Sequence, residues 1–153
     1  MKIFHGNPGF GSKMTYSKIM NFLNRKLILR LGTLDSYNQP NIHPVWFLCQ
    51  NNKLYVETNR NSSKVKNIIS NNIVYFCIDI DTIPYMGIRG KGIATISYNN
   101  IKNMVIATKI LLKYKSCLNN KISKIIINSV KTSDSVVLEI APKYYSTWDH
   151  NDF

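Results

Sequence analysis

The alternation of hydrophobic and polar positions divides the chain into short β-branched runs separated by polar turns, with helical spacing in between. Ile19, Phe22 and Leu23 fall on one face of a predicted helix over about residues 18–26, which Thr15 or Ser17 can cap. Residues 27–34 read as a strand. Asp35-Ser36-Tyr37-Asn38-Gln39 supplies turn chemistry, and a second strand runs over about 40–50. After Asn51-Asn52 comes a third, 53–58, so three strands in close succession predict an antiparallel meander. A helix over about 63–70 then offers Val65, Ile68 and Ile69 for packing, and the β-branched and aromatic run 73–80 predicts a buried strand. Beyond a break at Pro84, a long strand over 85–97 carries Gly87, Gly90 and Gly92, which invite a bulge or a close backbone approach. Asn99 or Asn100 caps a helix reaching about 115, a second helix spans about 121–131, and a last strand, 135–140, is stopped by Pro142.

This order predicts an α+β chain, mainly β: a six-stranded antiparallel barrel, closed to remove its edges, with flanking helices. At 153 residues one domain, 1–153, is expected, its first fourteen residues forming a loose arm. No apolar run is long enough to cross a bilayer, and Lys109, Lys113 and Lys115 interrupt the longest. The first residues lack the apolar core of a secretory signal, so no membrane partner and a cytoplasmic location are expected. Cys49, Cys77 and Cys117 are odd in number, far apart and outside any CxxC pair, which predicts free buried thiols and no metal site.

Charge changes the picture more. The net charge is +12, and no acidic residue occurs between Asp81 and Asp134, an interval holding Arg89, Lys91, Lys102, Lys109, Lys113, Lys115, Lys121, Lys124 and Lys131. Such a field favours anionic partners, although most single lysines in it serve as solvated surface. Nucleic acid is not the expected partner, because the strands lack a stacking platform of exposed aromatics and no helix-turn-helix or zinc-finger spacing occurs.

The segment from Thr58 to Asn67 carries the most chemistry. It reads as a strand end, a turn dense in hydroxyls and amides, and a basic helix start: Thr58-Asn59-Arg60-Asn61-Ser62-Ser63-Lys64-Val65-Lys66-Asn67. Hydroxyls, free amide N–H groups and a lysine together suit a phosphate that carries close to two charges. Ser62 and Ser63 can also serve as simple helix caps, and Thr58 and Lys64 at their offsets favour the phosphate. Lys66 reads as a solvated helix residue. His43 reads first as an interior or interface polar group, and Trp46, Phe47, Tyr85 and Trp148 read first as packing aromatics.

Four blocks in order make the chain similar to a known family. They are Leu31-Gly32-Thr33-Leu34 with Gln39-Pro40-Asn41-Ile42-His43-Pro44-Val45-Trp46-Phe47; Leu54-Tyr55-Val56-Glu57-Thr58 with Ser62-Ser63-Lys64-Val65-Lys66-Asn67; Tyr85-Met86-Gly87-Ile88-Arg89-Gly90-Lys91-Gly92-Ile93-Ala94; and Ile140-Ala141-Pro142-Lys143-Tyr144-Tyr145-Ser146-Thr147-Trp148-Asp149. Together they resemble the flavin-binding split barrels related to pyridoxamine 5′-phosphate oxidase. The resemblance implies a homodimer of six-stranded antiparallel split β-barrels, with two flavin (FMN) sites at the subunit interface. It implies that Thr58, Ser62, Ser63 and Lys64 hold the flavin phosphate with Asn67 nearby, and that the backbone of Pro44, Val45 and Trp46 lies along the isoalloxazine ring. Arg89 and Trp148 would reach a flavin from the partner subunit.

The departures limit the expected reaction. Ser63 stands where the oxidases proper have arginine, and Asp149-His150-Asn151 stands where they have Arg-x-His. The arginine and lysine of their second strand find no match either, so vitamin B6 oxidation is not expected. The expected activity is that of a flavin-dependent oxidoreductase acting on a small molecule, with a deazaflavin as the alternative cofactor and no residue assigned as acid or base. A non-enzymatic flavin- or nucleic-acid-binding module is the rival reading. Haem binding, which distant split barrels show, has little support from the 3 histidines.

Overall fold

The computed structural model describes residues 1–151. The chain begins with strand β1 (Lys2–His5), helix α1 (Tyr16–Leu23) and strands β2 (Leu29–Leu34), β3 (Pro40–Val45), β4 (Leu48–Gln50) and β5 (Lys53–Asn59). Helix α2 (Ser63–Ser70) and strands β6 (Ile73–Asp79) and β7 (Met86–Ser97) follow. Helices α3 (Asn100–Lys115) and α4 (Lys121–Lys131) and strand β8 (Ser135–Asp149) complete the fold.

The strands form one curled sheet in the order β3-β2-β6-β7-β8-β5-β4, with β1 added on β8. Neighbours on the main path are antiparallel, while β1 runs parallel to the end of β8. The expected mainly-β α+β barrel is therefore present, with eight strands in place of six.

Three differences from the sequence expectation have physical reasons. The loose arm is in part a strand: Lys2–His5 pairs with Tyr144–Thr147, and Met14 is buried with its N–H bonded to Thr147 Oγ1. The predicted strand over 40–50 breaks at Trp46-Phe47, because the Phe47 backbone is satisfied by side chains of α3. Its N–H donates to Tyr114 Oη and its carbonyl accepts from Lys113 Nζ at 3.1 Å. Finally, Pro142 does not stop the last strand. Lys91 lies opposite Tyr144 and Gly92 opposite Pro142, so Lys143 is skipped and the proline, which cannot donate, sits at an irregularity in the ladder.

The break at Trp46-Phe47 replaces the closure expected from the strand pattern with the split barrel that the resemblance implies. β3 and β4 are the two ends of the ladder and do not pair, although they are consecutive in the chain. The barrel is split there, and no ladder bonds join the two strands across the gap, which Lys113 and Tyr114 of α3 span at Phe47. Its interior is filled by Leu29, Leu31, Leu54, Val56, Val74, Ile78, Ile88, Leu138, Ile140 and Tyr145, and α1 covers it with Ile19, Phe22 and Leu23. A second cluster, Tyr55, Ile106, Ile110 and Val137, packs α3 on the outer side of β5 and β8.

Candidate cofactor site

Strand β5 ends in a turn that delivers α2, and the hydroxyl-rich segment lies across that junction. Alternation along β5 buries Thr58 against the interior and turns Glu57 to the side covered by α3. Ser62 occupies the N-cap position of α2, but its side chain makes no capping bond, and its Oγ is buried without any hydrogen-bond partner. Simple capping is therefore not what this serine does. The N–H groups of Ser63 and Lys64 open the helix and have no intrahelical acceptor. Lys64 folds back so that Nζ donates to Thr58 Oγ1 at 3.2 Å. An orphaned hydroxyl, two free amides and an ammonium converge at one helix end, the donor set that a phosphate needs.

The electrostatics agree. Burial pushes the Lys64 ammonium below its usual range, with Glu57 only partly opposing the shift. Glu57 is itself pushed up, chiefly by burial, while a hydrogen bond from Ser135 Oγ and the charge of Lys64 pull the other way. His43 is held below its ordinary value by burial and then by Lys64, which favours the neutral ring. The turn thus carries a desolvated cation with no close ion pair among the described residues, and a bound phosphate would supply the missing charge.

Behind the turn lies a polar relay. Asn67, buried, donates Nδ2–H to Thr33 Oγ1 at 2.9 Å, and Thr33 Oγ1 lies 3.1 Å from His43 Nε2. Asn67 therefore spends its amide on Thr33 and orients His43 indirectly. Ser63 and Lys66 are exposed.

A shared sequence pattern now decides the family, since that of pyridoxamine 5′-phosphate oxidase matches residues 17–149. The chain belongs to the pyridoxamine 5′-phosphate oxidase family. No curated protein matches it. Among solved structures, the conserved hypothetical protein Rv2991 from Mycobacterium tuberculosis has a TM-score of 0.80 at 19% identity, covering 95% of this chain and 90% of that one. An F420 reductase gives 0.68 at 18% identity, covering 92% and 98%. A FAD-binding protein from Mesorhizobium loti gives 0.67 at 13%, covering 89% and 95%. At such identities the likeness is one of fold.

In this member of the oxidase family, Pro44, Val45 and Trp46 line a cavity of about 300 Å³ together with Glu57, Ala107, Ile110 and Leu111. Trp46 stacks on Tyr114, ring centroids 5.0 Å apart and nearly parallel, so its ring is committed to packing against α3. Arg89 and Trp148 are not part of the turn. Arg89 sits opposite Ser146, ten residues along β8 from Val136, the partner of Thr58, and so about 33 Å of strand away. Its Nη2 donates to the Gly6 carbonyl at 3.3 Å, and the Trp148 ring lies so close over Gly87 that a Cβ there would clash with it.

Sequence reasoning did not single out Thr33, Glu57 and Ser135, which the structure brings against the candidate site. Thr33 carried a signal, a polar residue in phase with the buried Leu29 and Leu31. Glu57 carried one too, as the lone acid of β5 directly after the apolar Leu54-Tyr55-Val56, whereas Ser135 is placed only by the β5–β8 register.

Proposed function

We propose that the chain is a flavin-dependent oxidoreductase that anchors the phosphate of FMN, or of a deazaflavin, in the turn from Thr58 to Lys64. The observation that carries this reading is the buried Ser62 hydroxyl, which has no partner although it stands beside a helix N-terminus and a desolvated lysine. A buried hydroxyl left unmade costs free energy, and a phosphate oxygen would remove that cost. Ser62, Thr58 and Lys64 would hold the phosphate, the amides of Ser63 and Lys64 would add to it, and His43, steadied by Thr33 and Asn67, would face it as a neutral donor. The ring would lie along Pro44, Val45 and Trp46, in the cavity that Glu57 closes. When bound, the cofactor supplies hydride transfer; the protein orients it and keeps water away with the apolar residues of α3.

A homodimer follows from the same reading. The outer face of β3, β2, β6 and β7 exposes Ile42 and Tyr75, and with Phe4, Arg30 and Arg89 it encloses a groove of about 910 Å³. An apolar face of this size suits a second copy, which would bring Arg89 and Trp148 toward the partner's flavin. The test is titration of the purified protein with FMN, riboflavin and a deazaflavin. FMN binding far tighter than riboflavin binding is the expected result; equal affinity for the two would remove the phosphate anchor. Tight binding of the deazaflavin alone would select the alternative cofactor.

A further inference from the structure

Helix α3 is apolar on two opposite sides. Asn103, Ile106, Ala107 and Ile110 are buried, while Ile101, Val105 and Leu112 form a separate row exposed to solvent, with Ile101 at 82%. Spacings of four and seven residues put that row on one line, opposite the buried side. α4 repeats the arrangement: Ser123 and Val130 are buried, and Ile122 and Ile125 are exposed, the latter at 57%. The two helices pack on each other and both rest on β8, so they form one layer whose far side faces away from the sheet.

The charge on that far side has one sign. Lys102 is bound by Glu139 and Lys109 by Gln50, but Lys121 and Lys124 make no ion pair among the described residues. These two lysines, with Ile125, Asn128 and Ser129, line an open cleft of about 500 Å³ on α4. Two ammonium groups, an amide and a hydroxyl around a projecting isoleucine are donors for a phosphate that stands over an apolar layer. A second copy of this chain would place like charge against like charge here. A nucleic acid would use the lysines but leave five apolar side chains without a partner.

We propose that the outer face of α3 and α4 is a docking surface for an anionic lipid bilayer, with Ile101, Val105, Leu112, Ile122 and Ile125 entering the headgroup boundary and Lys121 and Lys124 meeting lipid phosphates. Amphipathic helices with lysine flanks bind in this way, through buried apolar area and attraction to anionic lipid together. No helix is long and apolar enough to cross the membrane among the described residues, so the contact is peripheral.

Co-sedimentation of the full chain with phosphatidylcholine vesicles, with and without phosphatidylglycerol, tests the proposal. Binding is expected only where phosphatidylglycerol is present and should weaken as salt rises. The double variant Lys121→Gln/Lys124→Gln should lower the partition coefficient roughly thirtyfold. Ile101→Asn/Ile125→Asn should abolish binding, and both sites are exposed, so circular dichroism should be unchanged. Failure to sediment with anionic vesicles overturns the proposal, as does unchanged binding by either variant. So does a salt-sensitive shift of duplex DNA without vesicle binding, or loss of a dimer in Ile125→Asn. FMN affinity should be equal in all variants, which keeps this test separate from that of the cofactor site.

Discussion

Lys64 Nζ lies 3.2 Å from Thr58 Oγ1, so the first turn of α2 is tied back to the strand that delivers it. The bond holds a partly buried ammonium beside the helix N-terminus, where a free lysine would extend into water. Lys64→Ala should therefore raise the dissociation constant for FMN by about 10- to 100-fold, the range for a charge-assisted hydrogen bond. Riboflavin binding should change little, and Lys124→Ala should leave FMN binding as it was. Equal affinities in the Lys64 and Lys124 variants, measured by flavin fluorescence, would reject the cradle.

Ser62→Ala separates anchor from cap. Removing a true N-cap costs about 1 kcal/mol of stability. Here the hydroxyl is buried and unpartnered, so its loss should leave the thermal midpoint unchanged or slightly raised. FMN affinity should nevertheless fall about tenfold, by the same reasoning as for Lys64. A destabilised variant with normal FMN affinity would return Ser62 to a structural role.

Stability should depend on pH through Lys113. Burial lowers its ammonium from 10.5 to about 8. Between those values the unfolded chain holds more protons than the folded one, so this lysine's contribution rises with pH from about 8 to 10.5. Cys49, pushed above 9.0 by burial, works in the opposite sense at the upper end of that window. Chemical denaturation of wild type and Lys113→Met at pH values below and above 8 should show the gap between them widening in favour of wild type. Parallel curves would mean that Lys113 keeps an ordinary affinity for its proton.

The groove that holds Arg89 gives a test of assembly. Ile42→Asp puts a charge on its exposed apolar wall. Sedimentation velocity should show wild-type dimers and variant monomers, and FMN affinity should fall with dimerisation if the partner completes the site. A monomeric wild type would remove the interface from the proposal.

Tyr145 is fully buried and its hydroxyl has no partner. Tyr145→Phe removes that group and keeps the ring, which meets Phe76 edge-on at 5.9 Å. The variant should be as stable as wild type or up to about 1 kcal/mol more so by thermal unfolding. A clear loss of stability would show that the hydroxyl is satisfied.

Local signals carried most of the fold. Strands β2, β5 and β6 and helices α2 and α4 lie close to where alternation and helical spacing put them, and of the two candidate caps Asn99 is the one that caps α3. Cys117, expected to be buried, is exposed; the three misses in the strands are places where distant residues override the local pattern. β1 is a short run that becomes a strand only because the end of β8 offers an edge. The interruption at Trp46-Phe47 depends on Lys113 and Tyr114, more than sixty residues away. Pro142 stays in β8 because the β7–β8 register skips Lys143 beside it. The proposed site divides in the same way. Thr58, Ser62 and Lys64 share one short segment and can be grouped from the sequence, whereas Thr33 and Ser135 reach it only through contacts between residues far apart in the chain.

The split at Trp46-Phe47 has a consequence for how such a protein can diversify. The hydroxyls and lysine of the proposed anchor lie within a few residues of one turn, but the wall of the neighbouring cavity is supplied by Ala107, Ile110 and Leu111 of a helix inserted between β7 and β8. That same helix pins the open seam through Lys113 and Tyr114. Substitutions along α3 would thus reshape the space beside the proposed anchor while leaving its hydroxyls and lysine in place. Under that proposal, hold and selectivity reside on separately editable parts of the chain.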